Sequence, residues 1–238
     1  PPMGHTNKIA DTIQFFMAPG PKPNGLQATE DGLWIIDQGN DHIYKVDWKT
    51  GETMVDAPTE TKAASGITLG DGLVWIASTG SNEIFAVEPE TGKTVQKHES
   101  PGAGVNATHE HRGPDEKKPV TGDHGLEWKD GHIYIASPPS QYIHVMDVTT
   151  WKEIHRFKAP GYRVHGIAWA EEEDHMWVVD TSAGLVSRLR VEDSRCYDVF
   201  RVLAPLQVHG MTIRNNVLWY CDDRGPIGHF DVDMVPDF

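Results

Sequence analysis

The chain has 238 residues, 38% hydrophobic and 24% charged, with a formal net charge of −14. That composition fits an ordinary globular protein with a sizeable core, and scattered Lys and Arg on an acidic chain argue against a nucleic-acid or anionic-membrane partner, both of which need a basic face. No run approaches the roughly 18 apolar residues of a membrane span, and two cysteines, Cys196 and Cys221, cannot build a disulfide framework, so a reducing, cytoplasmic setting is expected.

The first residues, "PPMGHTNKIADTIQ", lack the apolar stretch of a signal peptide; a signal already removed would leave no trace. "TIQFFMA" then reads as a lone strand. After it one unit repeats five times: "PNGLQATEDGLWIID", "ASGITLGDGLVWIAS", "DHGLEWKDGHIYIAS", "VHGIAWAEEEDHMWVVD" and "VHGMTIRNNVLWYCD". The aligned glycines are Gly25, Gly66, Gly125, Gly166 and Gly210, at intervals of 41, 59, 41 and 44 residues. The long interval holds a polar, Pro-rich insert, roughly residues 101–122. It contains His109, His111 and a weak glycosylation match at Asn106, and reads as a disordered segment or a lid.

Each copy has the same grammar. A short apolar strand follows the glycine. A turn comes next, at Asp31-Gly32, Asp71-Gly72, Asp130-Gly131 or Asn215-Asn216. A second strand carries an aromatic at a fixed place: Trp34, Trp75, Tyr134, Trp177 or Trp219. A third strand alternates, as in "HIYKVD", "EIFAVE" and "YIHVMD", and a fourth closes the unit. Four strands in about 40–45 residues is the signature of a propeller blade. The expected fold is therefore all-β: a single-domain five-bladed β-propeller over residues 1–238, with four-stranded antiparallel blades. The last copy lacks its fourth strand, so the N-terminal strand is expected to close the last blade.

Equivalent positions on the inner strands form a ring around the axis. The residue before each glycine occupies one such position: Asn24, Ser65, His124, His165 and His209. With 13 histidines in the whole chain, three on one ring is far above chance. Imidazole is the commonest transition-metal ligand, and three His with an open position recurs in catalytic sites. His124, His165 and His209 are therefore the candidate ligands of a divalent transition metal (zinc, iron, manganese or similar), with Asn24 as a fourth. Ser65 reads as a spacer. A ring of His held by water and carbonyls is the plainer alternative. Leu26, Ile67, Leu126, Ile167 and Met211, two residues further on, read as blade packing. The next position holds Glu127, either a group orienting His124 or a base, or else a partly solvated carboxylate. Tyr162 and Arg163 are expected in a loop over the channel mouth, where Arg163 could hold a carboxylate or oxyanion. His42, His132, His144, His155 and His175 read as surface residues, and Asp37, Asp180 and Asp222 as turn caps.

The phrases "NGL…DGLWIID" and "HGI…MWVVD" resemble streptogramin B lyase-like propellers and the gluconolactonase (senescence marker protein) superfamily. In the latter, the resemblance implies a metal ligand directly before such glycines, mapping onto Asn24 and by position onto His124, His165 and His209. That family uses oxygen ligands and more blades, whereas this ring is rich in nitrogen. "ASTG" (77–80) and "TGK" (91–93) are similar to plant-type glutaminyl cyclotransferases, but their Glu-Gly-Leu is absent because Ser65 precedes Gly66. The reading is a metal-dependent enzyme on a small-molecule substrate, foremost a lyase. Lactone or ester hydrolysis, an iron-dependent oxygenase and a non-enzymatic binding scaffold are the alternatives. Oligomeric state is not legible.

Overall fold

A computed structural model describes residues 8–105, 120–172 and 174–231. The repeats fold as expected into a five-bladed propeller of four-stranded antiparallel sheets. Blade 1 comprises Pro23–Thr29, Gly32–Asp37, His42–Val46 and Thr53–Pro58. Blade 2 comprises Ala64–Gly70, Leu73–Ser78, Glu83–Val87 and Thr94–Glu99. Blade 3 comprises Leu126–Lys129, His132–Ser137, Tyr142–Asp147 and Lys152–Lys158. Blade 4 comprises Val164–Trp169, His175–Asp180, Leu185–Arg190 and Cys196–Arg201. Blade 5 takes Val208–Arg214, Val217–Asp222 and Pro226–Asp231 from the C-terminal end, and Asp11–Met17 completes it antiparallel to Pro226–Asp231. Closure thus removes the edge that Pro226–Asp231 would otherwise expose. One feature the repeat pattern did not signal is Lys8–Ile9, which adds in parallel to Cys196–Arg201 on the rim of blade 4.

The turns follow their residues. Asp71-Gly72, Asp130-Gly131 and Asn215-Asn216 all have positive φ, the conformation a two-residue hairpin of matching twist requires. In blade 1 the turn falls one residue earlier than its Asp-Gly pair predicts. Thr29 pairs with Gly32, so Glu30-Asp31 forms the turn, and Thr29 Oγ1 bonds Asp31 Oδ1 at 2.8 Å. Between Gly102 and Asp123, the pair Gly104–Val105 with Val120–Thr121 forms a small ribbon at the base of the insert. His109 and His111, and the readings of a lid or of disorder, lie outside the described residues.

The core is divided among the five blade interfaces. Trp34, Ile36, Ile67, Val74 and Phe85 fill the first. Trp75, Leu126, Ile133 and Ile135 fill the second. Ile143, Val145, Ile167 and Val178 fill the third. Trp177, Phe200, Met211 and Phe230 fill the fourth. Leu26, Trp48, Trp219 and Ile227 fill the fifth. Leu26, Ile67, Leu126, Ile167 and Met211 each sit in one of these interfaces, as their apolar character at one repeat position implied. Burying two sheet faces against each other at roughly 25 cal/mol per Å² is what holds neighbouring blades face to face.

Candidate active site at the channel mouth

The side chains before the glycines are aimed by a local irregularity. In blades 1, 2, 4 and 5 the inner strand shifts register at this point, between Pro23 and Gly25, Ala64 and Gly66, Val164 and Ile167, and Val208 and Met211. A β-bulge of this kind re-aims a side chain. The glycines serve close approach between neighbouring blades. A Cβ on Gly66 would lie 1.9 Å from the carbonyl oxygen of His124, and one on Gly125 would lie 2.2 Å from that of His165. Gly125 N–H in turn donates to His165 O at 3.0 Å. Only glycine lets each inner strand approach the next blade's ring residue this closely.

The ring residues meet one another. All five are buried, His124 being the most open at 8% exposed. Ser65 Oγ lies 2.7 Å from Asn24 Oδ1 and 2.8 Å from His124 Nδ1. His124 Nδ1 lies 3.0 Å from His165 Nε2. The His165 and His209 rings pack edge to face, 4.5 Å between centroids. His209 Nδ1 donates to Gln207 O at 3.0 Å, which leaves its Nε2 as an acceptor, 3.9 Å from Asp223 Oδ2. Among the described residues, two buried atoms of the ring find no partner: Asn24 Nδ2 and His165 Nδ1. Below the ring the channel narrows to a space of about 10 Å³ lined by the five glycines and their neighbours, room for one water.

Burial disfavours the charged form of two of the imidazoles. Burial pushes the His165 pKa well below the ordinary 6.5, helped by His124, His209 and Arg163. Burial also lowers His209, partly offset by Asp223. Arg163 therefore stands close enough to act on two ring members, and among the described residues its guanidinium has no carboxylate partner. Its loop is pinned by Asp180, whose Oδ2 accepts Tyr162 N–H at 2.7 Å and Arg163 N–H at 3.3 Å. Asp37, Asp180 and Asp222 cap the turns that follow them, as expected, accepting the N–H groups of Gly39 and Asn40, of Ala183 and of Arg224, and each also accepts one from the loop before its blade's inner strand.

Other candidates separate from the ring. Tyr162 is 66% exposed and shares the loop with Arg163 without joining the hydrogen-bonded chain. Glu127 lies three residues along its strand from His124, about 10 Å at roughly 3.3 Å per residue. It is fully buried and takes the backbone N–H groups of Trp169 and Trp128, and burial pushes its pKa up to about 8. It makes no hydrogen bond to His124, so it neither orients that ring nor sits partly solvated; it ties blade 3 to blade 4. Thr212 does the same between blades 5 and 1, accepting Ala28 N–H at 2.9 Å. Sequence reasoning missed Ser65, which is a link rather than a spacer, and missed Gln207 and Asp223. Ser65 was legible as a polar residue on a ring of polar residues; the other two carry no repeat signal.

The ring suits a transition metal in kind but not in placement. Two nitrogens about 2.0–2.1 Å from one tetrahedral ion stand roughly 3.3 Å apart, and His124 Nδ1 and His165 Nε2 come near that at 3.0 Å. Yet they face each other across a hydrogen bond. Among the described residues no three His, Cys, Asp or Glu side chains converge to hold an ion. The expected ligand set of His124, His165, His209 and Asn24 is gathered at one mouth, with its donors pointed along a chain.

No protein-family model matches the chain, and no curated protein does. Solved structures do. The glutaminyl cyclase of Myxococcus xanthus superposes with a TM-score of 0.72 at 8% identity, over 94% of this chain and 96% of that one. The virginiamycin B lyase of Staphylococcus aureus superposes with a TM-score of 0.56 at 14% identity, over 93% of this chain and 99% of that one. A streptogramin B lyase structure gives 0.55 at 13% identity, over 94% and 98%. The molecule is thus a propeller of the architecture these enzymes use. At such identities the likeness is one of fold, and function must be argued from the site.

Proposed function

We propose that the channel mouth is the active site of an enzyme acting on a small molecule, and that its reaction is an elimination, making the protein a lyase. One atom carries the reading: His165 Nδ1, buried and without a partner among the described residues, on an imidazole that burial keeps neutral. The chain of groups behind it has two consistent proton patterns. With the Asn24 amide donating to Ser65, the hydroxyl donates to His124 Nδ1, His165 Nε2–H does likewise, and His165 Nδ1 is a bare lone pair. With the amide turned over, His124 Nδ1 becomes the donor and the proton of His165 sits on Nδ1. Asn orientation and His tautomer are set by such networks. Passing from the first pattern to the second takes up a proton at His165 Nδ1 and releases one from His124 Nε2.

That exchange is what an elimination needs. His165 Nδ1 removes a proton from carbon beside a carbonyl, the electron pair forms the double bond, and the leaving group departs with a proton from His124 Nε2. Arg163 takes the carbonyl oxygen on which charge develops. That charge also offsets the repulsion from Arg163 that adds to burial in holding the His165 pKa down. Because the ring is covered, the loop bearing Tyr162 and Arg163 must shift to admit substrate. Zinc, iron or manganese could join only if His209 Nε2 turned onto the His124–His165 pair, and no step above passes through an ion.

The test is a panel of β-substituted carbonyl compounds, lactones and quinupristin, the compound present in one virginiamycin B lyase structure, with elemental analysis alongside. A product of unchanged total mass, and a His165→Ala variant slowed at least about 100-fold, is the expected result. A product heavier by one water would transfer the site to hydrolysis. Absence of turnover on the whole panel, or a His165→Ala variant as fast as the parent, would overturn the proposal.

A further inference from the structure

His144, expected at the surface, is 3% exposed. It lies on the third strand of blade 3, below the turn from Ser137 to Gln141. Its Nδ1 lies 2.5 Å from Glu153 Oε2 on the neighbouring outer strand, and its Nε2 lies 2.8 Å from Ser140 Oγ. A carboxylate accepts, so Nδ1 carries the proton and Nε2 presents its lone pair to the serine hydroxyl. A hydroxyl on a base whose far nitrogen is held by a carboxylate is the arrangement of an activated nucleophile. Ser140 stands in a half-buried surface turn and Glu153 keeps 35% of its side chain exposed, so the group is open to solvent in a way the channel ring is not. Among the described residues the Ser140 N–H reaches only Ser137 Oγ, at a long 3.4 Å, which leaves it available to an oxyanion.

We infer that Ser140, His144 and Glu153 form a second catalytic site, a serine-nucleophile site cleaving small acyl esters. Blade 1 shows what this corner needs for structure alone. There Asn40 Nδ2 donates to Tyr44 OH at 2.8 Å, at the equivalent two positions, with neither nucleophile nor base. Blade 3 replaces that pair with Ser and His and adds the carboxylate. In the reaction Ser140 Oγ bonds to the ester carbonyl carbon as its proton moves to His144 Nε2. The alkoxy C–O bond breaks and the alcohol leaves with that proton. Water then adds to the acyl carbon, giving its proton to His144. The acyl–Oγ bond breaks, the acid departs and Ser140 regains its proton. Glu153 is a positioning residue, acting only through His144.

The full chain is treated with a fluorophosphonate, the modified residue is mapped by peptide mass, and p-nitrophenyl acetate hydrolysis is followed across pH. The adduct is expected on Ser140, and Ser140→Ala, a loss of one oxygen, should abolish it and slow hydrolysis at least 100-fold. Glu153→Gln should lower kcat with little change in KM and move the acid limb of the pH profile, which a merely structural carboxylate would not. An adduct elsewhere or nowhere on the parent protein overturns the inference whatever the variants do. So does undiminished hydrolysis by folded Ser140→Ala, or an unmoved profile for Glu153→Gln. The site shares no residue with the channel ring, so each stands or fails alone.

Discussion

Glu127 is a carboxyl group in a place that water does not reach. Its ordinary pKa of 4.5 is pushed up to about 8 by burial, against the pull of two backbone N–H groups. A carboxyl that binds its proton more tightly folded than unfolded stabilises fully below the unfolded value, and that stability fades as pH rises through the folded one. The contribution of Glu127 to the melting temperature should therefore be lost between about pH 5 and 9. Asp123, raised to about 6 by burial, adds to the lower part of this window, while His165 and His209, whose charged forms burial disfavours, work against it below about pH 7, so the part above pH 7 belongs to Glu127. Glu127→Gln keeps the acceptor and removes the charge. It should melt several degrees above the parent at pH 9 and near it at pH 5, since 1 kcal/mol moves Tm by roughly 2–4 °C at this size. Parallel melting curves for the two proteins across the range would refute it. Glu127 also shows where residue-scale reading stops. The repeat alignment placed it one ring below the histidines, but not the neighbouring N–H groups that claim it. His144 shows the same limit: its strand was legible, while its burial depended on Ser140 and Glu153, which no period in the sequence ties to it.

Between residue and molecule stands the blade interface, and its filling follows one inner-strand position. Trp128 packs against Trp75 of the blade before, 5.7 Å between centroids, and Trp169 against Tyr134 at 4.7 Å. Blade 5 has Ile213 there, and a cleft of about 330 Å³, open to solvent on one side, remains between blades 4 and 5; Trp177, Leu218 and Phe230 form its apolar wall, and Glu171, Glu172, Arg188 and Asp198 its polar rim. An indole occupies less than that, so Ile213→Trp should pack its ring over the apolar wall as Trp128 and Trp169 do in blades 3 and 4. The expected gain is about 1–2 kcal/mol, within the usual range of cavity-filling substitutions, read as a higher denaturant midpoint at unchanged m. A lower midpoint would mean that the cavity walls are fixed for another reason. At this scale the sequence was most informative, because strands, turns and the fixed aromatic all recur at one period. What it hid was the bulge beside the glycine in blades 1, 2, 4 and 5. An extra residue in a strand changes no hydrophobic pattern, and its only written sign, the glycine itself, has several other causes.

A closed propeller joins its two chain ends in one sheet, so its stability should depend on a strand distant in sequence from the rest of its blade. Asp11–Met17 supplies the fourth strand of blade 5, with Phe16 and Ala18 packed against the interface shared with blade 1, and Ala10 sits in the core between blades 4 and 5. Removing residues 1–18 would expose the edge of Pro226–Asp231 and uncover two of the five interfaces at once. Blades 2 and 3 would keep every strand. Loss should therefore begin at blades 5 and 1 and spread around the ring, since each inner strand is hydrogen-bonded or packed onto the next. The truncated chain should melt at least about 10 °C lower, and less cooperatively, by calorimetry. A synthetic peptide of residues 8–18 should restore part of the difference in a concentration-dependent way, because a ligand that binds only the folded state stabilises by mass action. If the truncated protein melts as the full chain does, the ring is not held by this strand. The inner-strand glycine contacts, present in all five blades, would then be the closure that matters.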